Sequence, residues 1–173
     1  MIVDRSRLYR FPWSMTDNPG AWVEVTDHCN ISCPGCYHER TEGHRRLPDV
    51  LAEIDACRRI TNCDSIKISG GEPLLYPHLA DVVRYIAERG LKPFVITNGF
   101  SLDRPTAREL VRAGVKSFSI HVDATQDRPG WEGRNETDLN ELRQSFADLI
   151  WEFRDVTCSF VATVTRGNLP EIG

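Results

Sequence analysis

Ser117-Phe118-Ser119-Ile120-His121-Val122-Asp123 alternates without a break. In an extended chain Phe118, Ile120 and Val122 share one face, and Ser117, Ser119, His121 and Asp123 share the other. A strand in an open sheet covered by helices on both sides should be apolar on both faces. A barrel wall needs one apolar side, toward its helices, and tolerates a polar side toward its lumen. The division recurs elsewhere. Ile66 and Ile68 oppose Lys67 and Ser69, while Cys158, Phe160, Ala162 and Val164 oppose Thr157, Ser159, Thr163 and Thr165, with Val161 breaking the polar side. These stretches predict a barrel-like sheet with a wet interior.

Outward from that strand the pattern is strand and helix in turn. Residues 1–20 read as an irregular N-terminal segment, with turns at Pro12 and Asn18-Pro19-Gly20 and with Trp13 as an anchor; residues 21–173 read as one α/β domain. Predicted strands cover residues 22–27, 65–69, 93–97, 115–122 and 156–165. One predicted helix, residues 49–60, carries Val50, Ile54, Cys57 and Thr61 on one stripe. Two more cover residues 77–88, ending before Gly90, and 105–113, closed by Gly114. A fourth has Leu139, Leu142, Phe146, Leu149 and Phe153 as its buried stripe, with Asp138 and Glu141 as its starting pair. Residues 167–173 read as a connection into a further helix. Parallel strands with helical crossovers gather chemistry at the C-terminal strand ends. There stand a cysteine loop, Gly70-Gly71-Glu72-Pro73, Thr97-Asn98-Gly99, His121-Val122-Asp123 and Thr165-Arg166.

Composition excludes several classes. The chain has 173 residues, 40% apolar and 27% charged, with a formal net charge of -4. No basic field is available for general nucleic-acid binding. No apolar run approaches the roughly 20 residues of a membrane span. The first residues lack a signal-peptide core, so the cytoplasm is the expected compartment, where six cysteines point to metal or catalysis before disulfides.

The cysteine loop, Cys29-Asn30-Ile31-Ser32-Cys33-Pro34-Gly35-Cys36, places three thiols at C-x3-C-x2-C spacing. Three thiols on a four-iron cluster leave one iron open, the mark of a reactive centre rather than a simple electron carrier. A structural zinc knuckle is the alternative, completed by His28, His38 or His44. Cys57 and Cys158 lie on apolar faces and read as core; Cys63 reads as structural. The loop at residues 123–136, with Arg128, Trp131, Glu132 and Arg134, is a candidate lid or substrate contact, against the alternative of a solvated charged loop. His44-Arg45-Arg46 is either a solvated turn or a contact for an acidic group or a reductase.

The cysteine loop after a first strand, Gly70-Gly71-Glu72-Pro73 after a second and Ile96-Thr97-Asn98-Gly99 after a third together resemble the radical S-adenosylmethionine (radical SAM) superfamily over about residues 21–173. The resemblance implies a partial TIM-like (β/α)6 barrel and a [4Fe–4S] cluster on Cys29, Cys33 and Cys36. It implies that the open iron is chelated by the amino and carboxylate groups of S-adenosylmethionine. Reductive cleavage then gives a 5′-deoxyadenosyl radical that abstracts hydrogen from a substrate, the electron coming from a flavodoxin- or ferredoxin-type reductant. Carried onto this sequence, Gly70, Gly71, Glu72 and Pro73 hold the methionine amine, with Glu72 as its negative partner. Ser119, His121 and Asp123 match the fourth-strand position that meets ribose hydroxyls or the carboxylate. Asn98 lies beside the cofactor, and Thr163, Thr165 and Arg166 correspond to fifth-strand contacts. The sequence departs from the family pattern at Gly35, where an aromatic or bulky residue is usual; Tyr37 or backbone is the substitute. The family barrel has six strands and this chain has five, so the barrel is expected to be incomplete at its C-terminus. Either the chain is a fragment, or a partner chain or tight dimer completes the wall. An iron–sulfur electron-transfer protein and a structural zinc module stand as the other functional classes.

Overall fold

The computed structural model describes residues 17–38 and 41–171; the predicted turn at Pro12, the Trp13 anchor and the end of the 167–173 connection lie outside them. Five strands, β1 (Gly20–Glu24), β2 (Ser65–Ser69), β3 (Lys92–Thr97), β4 (Ser117–His121) and β5 (Thr157–Val161), alternate with four helices, α1 (Leu47–Thr61), α2 (Leu79–Glu88), α3 (Arg104–Ala113) and α4 (Leu139–Trp151). All strands are parallel and lie side by side in chain order. A doubly wound sheet reverses its order at a switch point; this one runs one way throughout the described residues. The fold is α/β, and the sheet is an arc of a TIM-like barrel.

Register stacks the side chains in rows. Val23, Ile68, Val95 and Phe118 are neighbours across β1 to β4, and all are fully buried. One core joins that row to Ile54 of α1, Val82 and Ile86 of α2, Leu110 of α3 and Phe146 and Ile150 of α4. The helices therefore cover one face. The adjacent row, Trp22, Lys67, Phe94, Ser117 and Thr157, faces the concave side. That side is polar on β4, as expected, but mixed on β1 and β3, where Trp22, Phe94 and Ile96 stand. On β5 the expected core is thin: Cys158 is half-buried and Phe160 exposed.

Local chemistry moves several boundaries. Helix α1 starts at Leu47 with Pro48 in its first turn and stops at Asn62, in the left-handed region at φ 47°. Helix α2 starts two residues after Pro77, because Leu79 N donates to Tyr76 O at 3.1 Å and ties Pro77-His78 into a turn. In α3 the Asp103 carboxylate accepts from Thr106 N at 2.8 Å, a capping bond the sequence reading missed. Helix α4 starts as expected, with Asp138 in front of Leu139 and Glu141 in the first turn, but the Asp138 side chain makes no capping bond into the helix. Asp138 N donates to Asn135 Oδ1 at 2.9 Å and Asn135 N donates to Asp138 Oδ2 at 3.2 Å, a reciprocal cap one turn earlier. The buried face of α4 shifts with it: Ala147 and Ile150 join Leu139 and Phe146, while Leu142, Leu149 and Phe153 are half-buried.

Strand β1 ends at Glu24 rather than near Asp27. Past it Val25 N still donates to Ser69 O of β2 at 3.0 Å, and the chain also pairs antiparallel with residues returning from the cysteine loop: Asp27 N donates to Gly43 O and Arg45 N to Val25 O, each at 3.1 Å. Strand β5 ends at Val161 because the next backbone groups serve side chains. Thr163 N donates to Asp123 Oδ2 at 2.6 Å, and Thr163 O accepts from Asn168 Nδ2 at 2.9 Å.

Candidate active site

The cysteine loop rises from the end of β1, closed at its base by the Thr26–His44 bridge. His44 and Arg45, read as a partner contact or a solvated turn, build that base. His44 Nδ1 lies 2.8 Å from Thr26 Oγ1, and Arg45 donates to Glu24 O at 2.8 Å and pairs with Glu53. At the tip, Cys36 N donates to Cys33 O at 3.1 Å across Pro34-Gly35. Proline second and a glycine at φ 81° third make this a type II turn. Gly35 is thus demanded by the backbone, which explains why no bulky side chain stands there. Tyr37 follows on the rim, 76% exposed, with its hydroxyl donating to Glu24 Oε1 at 3.0 Å.

Next to the loop, β2 ends in Gly70-Gly71. A Cβ on Gly70, whose φ is 143°, would meet Thr26 O at 2.3 Å; one on Gly71 would meet His28 O at 2.4 Å. Gly71 N donates to Thr26 O at 2.7 Å and Glu72 N to His28 O at 2.8 Å. The close approach that requires these glycines is to the cysteine loop's own backbone, where ligand approach was expected.

The Glu72 side chain bonds within the chain. It is fully buried, and its carboxylate accepts from Leu74 N at 2.9 Å, Thr97 Oγ1 at 2.6 Å and Asn98 N at 2.7 Å. Burial pushes its pKa up, and those donors oppose the rise. Glu72 staples the ends of β2 and β3, and neither it nor Pro73 lines the cavity described below. Asn98, at the end of β3, donates from Nδ2 to Asn30 Oδ1 at 2.9 Å and lies 3.8 Å from Cys29 Sγ. It holds the cysteine loop from beneath.

At the end of β4, His121 Nε2 lies 2.6 Å from Asp123 Oδ2 and 3.2 Å from Thr163 Oγ1. Burial pushes the Asp123 carboxyl up, but hydrogen bonds from His121, Thr125 and Thr163 N outweigh it and hold the group well below the usual carboxylate range. Asp123 is buried behind His121 and orients it.

A cavity of about 330 Å³ opens among these strand ends. Cys29, Cys33, Cys36 and Tyr37 line it, with Gly70, Gly71, Asn98 and His121 opposite. Thr125, Gln126 and Thr163 complete its polar wall, and Trp22 closes the concave side. Ser119, Asp123, Thr165 and Arg166 lie outside the lining. Arg166 is exposed, and Thr165 donates to Asn168 Oδ1 at 2.7 Å from its backbone. A larger groove of about 550 Å³, among Arg84, Arg104, Arg108 and Arg112 on the outer helices, contains none of these groups.

The loop at 123–136 is docked rather than poised as a lid. Ser32 N donates to Asp127 O at 3.1 Å and Asp127 N to Ser32 O at 2.6 Å, fastening it to the cysteine loop. Arg128, read as a lid residue, is buried, with Nη2 donating to Asn98 O at 2.7 Å. The Ser32–Asp127 bridge leaves no periodic trace in the sequence.

Three of the six cysteines, Cys29, Cys33 and Cys36, line the cavity, the number that a four-iron cluster with one open iron would take. No disulfide ties any of the six cysteines. Among the described residues, no three Cys, His, Asp or Glu side chains converge on one ion site. Of the histidines of the zinc alternative, His38 lines the same cavity and lies 3.4 and 3.8 Å from Glu24 and Asp27, while His28 and His44 lie outside the lining, their rings 5.9 Å apart. Cys57, Cys63 and Cys158 lie outside the cavity lining, so three thiols face it. Ser69, also in the lining, has a buried hydroxyl without a hydrogen-bond partner, as a polar ligand would require.

A family model for the radical SAM superfamily matches residues 23–156. The chain is 32% identical over 105 residues to the probable GTP 3′,8-cyclase of Methanococcus vannielii, covering 58% of this chain and 35% of that protein. It is 30% identical over 173 residues to the AdoMet-dependent heme synthase of Methanosarcina barkeri, covering 92% of this chain and 46% of the other. The solved structure of anSMEcpe with bound AdoMet matches at a TM-score of 0.66 and 17% identity, over 89% of this chain and 47% of that one, a likeness of fold. The chain thus spans about a third to a half of the length of these curated relatives. Among the described residues no helix is long and apolar enough to cross a membrane.

Proposed function

The chain belongs to the radical SAM superfamily, and we propose that it carries a [4Fe–4S] cluster on Cys29, Cys33 and Cys36 and binds S-adenosylmethionine in the adjoining cavity. The observation that carries this reading is that Cys29, Cys33, Cys36, Gly70, Gly71 and His121 all line one cavity of about 330 Å³. When bound, the pair supplies an electron and a cleavable sulfonium, and with them a 5′-deoxyadenosyl radical able to abstract hydrogen from a substrate.

The chain's own residues would bind and orient. Gly70 and Gly71 present backbone to the methionine end, and the unpartnered Ser69 hydroxyl adds a polar contact there. His121 and Thr163 offer hydrogen bonds to ribose hydroxyls, with Asp123 fixing the imidazole through its 2.6 Å bond. Glu72 works as a brace, keeping Thr97 and Asn98 where the cysteine loop needs them. The exposed rim at Cys36 and Tyr37 is the approach for a flavodoxin- or ferredoxin-type reductant.

Anaerobic reconstitution with iron and sulfide tests the reading. The expected product is a brown protein whose cluster spectrum changes on adding S-adenosylmethionine, and which forms 5′-deoxyadenosine with dithionite. Cys33→Ala should lose both properties. A colourless protein, or a cluster indifferent to S-adenosylmethionine, would instead indicate a structural domain or an electron carrier.

A further inference from the structure

Arg128 is the one lysine or arginine among the buried described residues. The bridge between Asp127 and Ser32 delivers it, since Ser32 lies between Cys29 and Cys33. Its Nη2 donates to Asn98 O at 2.7 Å, to His121 O at 3.2 Å and to Gln126 Oε1 at 2.9 Å. All three acceptors are neutral. Its Nε is buried and makes no hydrogen bond. Among the described residues no carboxylate stands within ion-pair distance of it; its charged neighbours at longer range are Cys33, Glu72 and Asp123.

This is an expensive way to hold a loop. A neutral amide would also donate to carbonyl oxygens, without desolvating a full charge. Burial pulls the guanidinium's pKa below its ordinary value, with Cys33, Glu72 and Asp123 pulling the other way, and an arginine so placed stays protonated near neutrality. What the arrangement provides is a permanent positive charge, poorly screened, beside the thiol-bearing loop.

We propose that Arg128 tunes the reduction potential of the cluster held on Cys29, Cys33 and Cys36, its charge favouring the reduced form. The inference rests on the cluster reading given above. Reduction brings one electron from an external one-electron donor and adds one negative charge to the thiolate-bound group, with no proton taken up. A fixed positive charge stabilises the more negative state and raises the potential, one of the protein's levers on such groups. The buried carboxylates of Glu72 and Asp123 push the other way. Arg128 offsets them from within the same strand-end layer. It acts as a positioning and tuning residue, touching the ends of β3 and β4 through Asn98 O and His121 O.

The test is a redox titration of the reconstituted full chain with dithionite as reductant, followed by electron paramagnetic resonance and visible absorbance. In Arg128→Gln the ratio of reduced to oxidised cluster at a fixed potential should fall about tenfold, equivalent to about 59 mV for one electron. Arg128→Lys keeps the charge and should stay close to the parent protein. A parent-like ratio in Arg128→Gln at full iron content overturns the proposal, as does an Arg128→Lys shift as large as that of Arg128→Gln. Should Arg128→Gln fail to hold a cluster, Gln126→Glu decides: a carboxylate against Nη2 should lower the ratio in the same direction, and no change overturns the proposal. A parent chain that takes up no iron and sulfide overturns the cluster reading itself, a failure distinguishable from a full cluster with an unmoved potential.

Discussion

A methyl group at position 71 has no room: it would sit 2.4 Å from His28 O, a backbone atom that cannot swing aside. Gly71→Ala should therefore cost about 1–3 kcal/mol or more in urea unfolding, and it should lower iron uptake because the displaced backbone is that of the cysteine loop. The Gly-Gly pair was legible in the sequence as a site of close approach. What approaches was not, because Thr26 and His28 come from another strand end. The same limit governs Glu72. Its partner Thr97 is 25 residues away, and no local pattern says whether a carboxylate meets a ligand's ammonium or a neighbouring strand. Asp123 gives a pH signature. Its pKa is lowered in the folded state, so its stabilisation is complete above the unfolded value of about 3.9 and is lost as pH falls below it. Asp123→Asn should be less stable near neutrality, and its stability should fall less than the parent's below about pH 4. Parallel acid limbs in the two proteins would count against the hydrogen bonds described.

At the scale of elements, side-chain bonds to backbone decide where strands and helices stop. Alternation located β4 and β5 correctly in kind, yet both were expected to be longer. The Asp123 carboxylate captures Thr163 N, so the ladder ends at Val161. No hydropathy count contains that bond. The loop from β4 to α4 is fixed by Glu136, whose carboxylate accepts from Ala124 N at 2.9 Å and Asn168 Nδ2 at 2.8 Å and pairs with Arg143. Glu136→Gln leaves Arg143 largely buried without its counter-charge, and a loss of about 3–5 kcal/mol is expected, read from urea unfolding. Hydrogen exchange at the Ala124 amide should accelerate in the same variant. At the start of α3, Asp103→Ala removes a cap and should lower the urea midpoint of unfolding, with no effect on iron content.

For the whole molecule, the choice between a barrel arc and an open doubly wound sheet was legible because burial favours one side of the sheet across β1 to β4. The row through Val23, Ile68, Val95 and Phe118 is closed to solvent, and the row beside it is not. The mixed character of the concave side was harder to read, since Trp22 and Phe94 are apolar yet not core. A cavity built from the ends of five adjacent strands makes ligand binding and global stability one equilibrium. S-adenosylmethionine at about 100 times its Kd should raise the unfolding free energy of the reconstituted protein by about 2.7 kcal/mol. Thermal unfolding that ignores the cofactor would contradict the binding site.

The Ser32–Asp127 bridge also sets a clock. Its two halves are separated by roughly a hundred residues, and a ribosome adding about 5–20 residues per second takes roughly 5–20 s to make the second after the first. Through that interval the thiol loop has left the ribosome's active centre, and the contact that fastens Ser32 and brings Arg128 to the site does not yet exist. Metal delivery during synthesis meets an open hairpin of cysteines; delivery afterwards meets a pinned one.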